Sequence, residues 1–137
     1  MKIESQVCLP EQGKRLKALG IIQESLFYWT GNKWGVMPKS SIDFSGDPTS
    51  VFTVGELGVL LPNKIRHNKM DYTFRINKEK SGLWEIKYRT RSRDFKLIPL
   101  KIISGKIEAW LRAEMFIFLL ENKFTTPEYC NKKTLES

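Results

Sequence analysis

One histidine, two cysteines and a concentrated run of lysines and arginines are the residues of this 137-residue chain whose types could do chemistry. The histidine, His67, sits between Arg66 and Lys69. A lone histidine in so basic a stretch reads as solvated surface rather than as a general base. Cys8 and Cys130 lie near opposite ends of the chain, and no Cys or His pair has metal-ligand spacing. In a reducing compartment they are two free thiols; a pairing between them would need the termini to meet. Glu108 and Glu114 are six positions apart and would not face each other on a helix, so they make no carboxylate dyad. Nucleophile-elbow, phosphate-loop and dinucleotide fingerprints do not occur. The sequence therefore offers no catalytic residue, no metal ligand and no cofactor site, and the expectation is a protein that is not an enzyme.

The charge is more informative. The formal net charge is +8. The stretch Lys64 to Lys101 holds 12 Lys or Arg and 4 acids, a surplus equal to the whole net charge, and the rest of the chain is balanced. A basic block inside a neutral chain is a local field that suits an anionic partner. Within it, Arg75, Lys87, Arg89, Arg91 and Arg93 are the candidate nucleic-acid-binding residues. Spaced by two along strands, they form a row of point charges that can follow a phosphate backbone without reading bases. The alternative partner is an acidic protein surface, which the same cations would meet in an adaptor or inhibitor. Phe27, Tyr28, Trp29 and Trp34 could stack on bases, but small domains bury large aromatics first, so these are assigned to the core.

Positioning these side chains requires a fold, and one stretch organises it. Ser104 to Phe124 is the longest helical pattern, with Ser104 as N-cap and Asn122 and Lys123 suited to its end. Ile107, Leu111, Met115, Phe118 and Leu119 form an apolar stripe that Trp110, Phe116, Ile117 and Leu120 widen. Its apolar part falls short of the ~20 residues that span a bilayer, and Glu108, Arg112 and Glu114 interrupt it. The start of the chain lacks an apolar signal core. The expectation is a cytoplasmic protein with no membrane partner; nothing in the pattern specifies an oligomeric state.

In chain order, Leu9 to Leu19 predicts a first helix, with Pro10 early and Gly20 just past its end. Ser25 to Thr30 and Trp34 to Met37 predict a hairpin around a two-residue Gly31-Asn32 turn. Lys39 to Ser50 reads as a polar, mobile loop. Thr53 to Glu56 is a capping-box pattern opening a short helix that Pro62 ends. The sequel lacks the second helix of a helix-turn-helix domain. Asn63 to Met70 reads as a basic loop. Asp71 to Asn77 and Leu83 to Arg89 alternate and predict a second hairpin, with Tyr72, Phe74, Ile76, Trp84, Ile86 and Tyr88 inward. Phe95 to Ile103 adds an edge strand, because it contains Pro99.

The segments around Glu11 to Gly20, Gln23 to Trp29, Phe52 to Pro62 and Arg112 to Lys123 resemble a family of small uncharacterised proteins of gut anaerobes and their prophages or mobile elements. The resemblance implies the same fold, and a setting in a mobile element. It carries no functional residue to this chain. Gly13 and Gly55 stand where that pattern has Ala, which weakens both short helices. The expected architecture is α+β over residues 1–124: an antiparallel sheet built from two hairpins, packed against a long C-terminal helix with two short helices, and followed by a polar tail, 125–137. The expected function is that of a non-enzymatic accessory or regulatory protein of a phage or mobile element, with weak nucleic-acid binding.

Overall fold

The dominant helical pattern becomes helix α3, Glu108–Glu121, at the centre of the computed structural model, which describes residues 2–31 and 35–136. Ala109, Leu111, Ala113, Met115, Phe116, Ile117, Leu119 and Leu120 are all buried, so apolar surface runs round most of the helix. Phe118 is only half-buried, with the Lys101 ammonium 5.0 Å from its ring centre. A helix of this kind needs cover on more than one side. It starts later than the sequence predicts. Ser104 does not cap it: Ser104 is still in strand, opposite Glu85, and Ile107 takes the cap position without a side-chain hydrogen bond. Ladder pairing overrides the local capping preference of serine there. Asn122 ends the helix as expected, its Nδ2 donating to the Phe118 carbonyl.

Among the described residues there are four α-helices and seven strands in two antiparallel sheets, so the fold is α+β. The two expected hairpins do not share one sheet. Strands β1 (Phe27–Trp29) and β2 (Val36–Pro38) join β3 (Thr49–Ser50) in a small sheet of order β2-β1-β3. Strands β5 (Met70–Lys78) and β6 (Trp84–Arg91) form the middle of a meander, flanked by β4 (Lys64–His67) and β7 (Leu97–Gly105). Gly31 has positive φ, 81°, but Asn32 of the expected turn and the start of the return strand at Trp34 lie outside the described residues. The expected polar loop, 39–50, holds two short 3-10 turns and then β3. The expected basic loop, 63–70, is mostly strand. Asn68 and Lys69 both adopt positive φ, 48° and 64°, and make a two-residue turn that pairs His67 with Met70. Such a turn usually advertises itself with Gly at the second position; Lys69 there hides it. His67 is correspondingly not free surface. It is half-buried, its ring edge-on to Phe124 at 5.0 Å. Strand β7 lies at the edge, as Pro99 requires.

Strand pairing fixes which side chains meet α3. Phe74 lies opposite Tyr88 and Ile76 opposite Ile86 on the helix-facing side, with Tyr72, Ile86 and Tyr88 buried. The Tyr88 hydroxyl donates to the Pro62 carbonyl at 2.6 Å. Helices α1 (Pro10–Ala18) and α2 (Val54–Leu60) also pack on α3, and α1 packs on β3. Buried Gln12 on α1 donates from Nε2 to the Trp110 carbonyl at 2.9 Å and to Glu114 Oε1 at 3.1 Å, while its Oε1 accepts from the Leu9 amide at 2.9 Å. Thr53 and Glu56 form the expected capping box of α2. The chain then enters β4 rather than a second helix.

The segment expected to be a polar tail contains helix α4, Pro127–Glu136. Thr126 Oγ1 accepts from the Tyr129 amide at 3.3 Å and so caps it. Cys130 is fully buried, and Asn131 bridges the Gly20 carbonyl at 2.9 Å and the Ile22 amide at 2.8 Å. Polar anchoring of a polar helix leaves little apolar periodicity to detect.

Two substitutions test this packing. Met115→Ala leaves a cavity beneath the sheet and should cost ~2–5 kcal/mol in urea unfolding; a loss under ~1 kcal/mol would put α3 at the surface. Gly13 is not a weak point of α1, since a Cβ there would lie 2.3 Å from the Ser50 carbonyl oxygen. Gly13→Ala should therefore destabilise, although Ala alone favours a helix by ~1 kcal/mol. A gain in stability would show that α1 stands off β3.

Candidate nucleic-acid interface

The helices cover one face of the four-stranded sheet and leave the other to solvent. Alternation along the strands decides what that outer face carries. From β5 it receives Asp71, Thr73, Arg75 and Asn77, and from β6 Glu85, Lys87, Arg89 and Arg91. The register of β4 adds Lys64 opposite Thr73 and Arg66 opposite Asp71. Six cations thus face two carboxylates. The β7 edge contributes Leu97 opposite Arg91, Pro99 opposite Arg89 and Ile102 opposite Lys87. A bulge between Tyr88 and Arg89 absorbs Leu100, which restores the alternation.

These cations are not equivalent. Lys87 is held by Glu85 at 2.6 Å, and Arg66 by Asp71 at 3.1 Å. Arg75, Arg89 and Arg91 line one shallow cleft of about 210 Å³, together with Asp71, Thr73, Thr90 and Leu97. Among the described residues these three arginines have no carboxylate partner; Arg75 Nη1 donates only to the Phe74 carbonyl, at 3.1 Å. Arg75 is diagonal to Arg89 across the β5–β6 pair, a neighbour spacing of roughly 7–8 Å with the Cβ atoms somewhat closer. Arg91 follows Arg89 by two residues on the same strand. Like charges gathered this way repel, and an anion between them would relieve the repulsion. Guanidinium forks suit an oxyanion with several acceptor atoms.

The structure thus brings Arg75, Lys87, Arg89 and Arg91 to one face and leaves Arg93 apart. Arg93 lies in the turn between β6 and β7, where alternation has ended. Lys64 and Arg66 join the face through β4; only the Asn68-Lys69 turn could have signalled them. Of the aromatics assigned to the core, Tyr28 is fully buried and Phe27 and Trp29 are partly so, while Trp34 lies outside the described residues. Among the described residues the outer face carries no aromatic ring.

Protein-family models, curated proteins and solved structures give no match to this chain.

Other clefts lack this character. The one beside α1 is larger, but there Lys17 is paired with Asp47 at 2.8 Å and Lys14 lies 4.5 Å from the Trp29 ring centre. Between β7 and α3, Lys101 faces Phe118, with Glu114 and Glu121 alongside. Among the described residues no three His, Cys, Asp or Glu gather as metal ligands, and no helix is long and apolar enough to cross a membrane. Cys8 and Cys130 are both free and buried, and burial raises both thiols.

Burial pushes the Cys8 thiol from 9.0 up to about 11, although its sulfur accepts from the Phe52 amide. The folded chain keeps this thiol neutral where the unfolded chain ionises it. Its contribution is complete below pH 9.0 and is lost as pH rises to about 11. The stability of the parent relative to Cys8→Ala should therefore fall across that window in urea titrations. A difference that stays constant would mean that the Cys8 thiol is solvated.

Proposed function

We propose that this is a non-enzymatic accessory protein, of the mobile-element kind that its sequence resembles, which binds nucleic acid weakly through the outer face of its four-stranded sheet. The observation that carries the reading is the cleft of Arg75, Arg89 and Arg91, three guanidinium groups on an uncovered face that have no carboxylate partner among the described residues. The face offers charges and no helix to enter a groove, so it contacts phosphates rather than base edges. Binding is sequence-independent, with a dissociation constant on the order of micromolar or weaker near physiological salt.

A second reading, an adaptor or inhibitor on an acidic protein, is favoured by one observation. Leu97 and Ile102 lie beside the cations and are 48% and 47% exposed. A protein partner would use that apolar margin; a phosphate backbone would not.

The test is a salt titration of binding with Arg75, Arg89 and Arg91 replaced by Gln. The triple variant should bind all sequences more weakly and flatten the log–log salt slope by about two to three units. Its unfolding curve should match the parent, because exposed charges contribute little. A parent that binds no nucleic acid at low salt would transfer the site to the acidic-protein reading. An unchanged slope in the variant would remove the arginines from it.

A further inference from the structure

At the end of the cationic row, a five-residue turn, Ser92 to Lys96, joins β6 to β7. Ser92 closes it: its amide donates to the Lys96 carbonyl at 2.9 Å, its carbonyl accepts from the Phe95 amide at 3.0 Å, and its Oγ accepts from the Lys96 amide at 3.2 Å. The turn requires a left-handed residue, and Phe95 supplies it with φ of 61°. Glycine, asparagine or aspartate are the residues that take this conformation readily; for an aromatic side chain it is strained. The ring gains nothing from the fold in return. It is 78% exposed, the most exposed of the large apolar side chains described, and it belongs to no core cluster. A strained residue that contributes no packing points to a role outside folding.

Its neighbours indicate the role. Arg93 and Lys96 flank it within the turn, Asp94 is the one carboxylate there, and none of the three has an ion-pair partner among the described residues. Arg91, which lines the arginine cleft, pairs with Leu97, two residues from Phe95. The row of guanidinium groups therefore leads directly to the turn that carries a bare aromatic ring. Phosphates held by the row would bring the adjoining nucleotide to that ring. In a duplex the bases are stacked and paired, so only an unpaired base can lie against it.

We propose that Phe95 is a base-stacking contact, and that the ligand of this face is single-stranded nucleic acid. The inference rests on the arginine cleft as a phosphate site and adds to it the strandedness of the ligand. The cleft supplies salt-dependent attraction, and the ring supplies a salt-independent preference for exposed bases.

The experiment compares the full chain with Phe95→Ala and Phe95→Tyr on three probes: a single-stranded oligothymidine, a duplex of equal length, and the same strand with abasic sugars. The parent should prefer the single strand. Phe95→Ala should bind it about tenfold more weakly, as loss of one stacked base implies, with an unchanged salt slope and unchanged duplex binding. Phe95→Tyr should bind as the parent does. On the abasic strand the parent should already be weakened, and Phe95→Ala should lose nothing more. Equal binding by Phe95→Ala and the parent on oligothymidine would overturn the inference, while the arginine cleft would still stand on its salt slope. A loss of the same size on the abasic strand would also overturn it, because the ring would then not contact bases. Binding to anionic phospholipid vesicles but to no nucleic acid, lost in Phe95→Ala, would make the turn a membrane contact and overturn this inference and the nucleic-acid reading together.

Discussion

The burial of α3 on most sides is the constraint from which the other features follow. Two layers must meet on this helix: the meander on one side and α1 and α2 on the other. Each layer can then turn only one face inward. The four-stranded sheet spends its aromatic and aliphatic face on α3, and its other face is left to water. That second face tolerates a surplus of cations because nothing in the fold depends on it. At the junction, Arg112 is paired with Glu108 at 2.6 Å and lies 5.3 Å from the Phe74 ring centre. A charge so placed keeps its partner and an aromatic neighbour, while among the described residues Arg75, Arg89 and Arg91 of the outer face keep neither.

Local signals were legible where one local rule decided the outcome. The Thr53–Glu56 capping box, the Asn122 helix end, the alternation of β5 and β6 and the edge position of Pro99 are all of this kind. Signals failed where distant pairing won. Ser104 has the residue type of a cap but is held in the ladder by Glu85. The first hairpin could pair with the second or with a third strand, and nothing local distinguishes these; β3 is only two residues long. Helix α4 is anchored by Asn131 hydrogen bonds and one cysteine, so it shows almost no apolar stripe. Gly13 reads locally as a weak helical residue, yet Ser50 leaves space for nothing larger.

The same division runs through the candidate site. Alternation was enough to gather Arg75, Lys87, Arg89 and Arg91. It could not show that Glu85, two residues before Lys87 on the same face, ties that lysine down. It also could not say where β6 ends, and Arg93 falls beyond that point. The role of Phe95 has no sequence signal at all, because a positive φ at an aromatic residue is visible only in the backbone.

The hydrogen bonds that lock α1 and its following turn to the rest span most of the chain. Gln12 reaches Trp110, Arg15 reaches Glu121 at 2.9 Å, and Asn131 reaches Gly20 and Ile22, across separations of 98 to 111 positions. On the ribosome, then, α1, α2 and the meander emerge before the helix they are built to cover. Their apolar faces stay unsatisfied until α3 follows, and contacts of such long range form slowly. In that interval the nascent chain exposes apolar surface, and the packing of the earlier elements waits on α3.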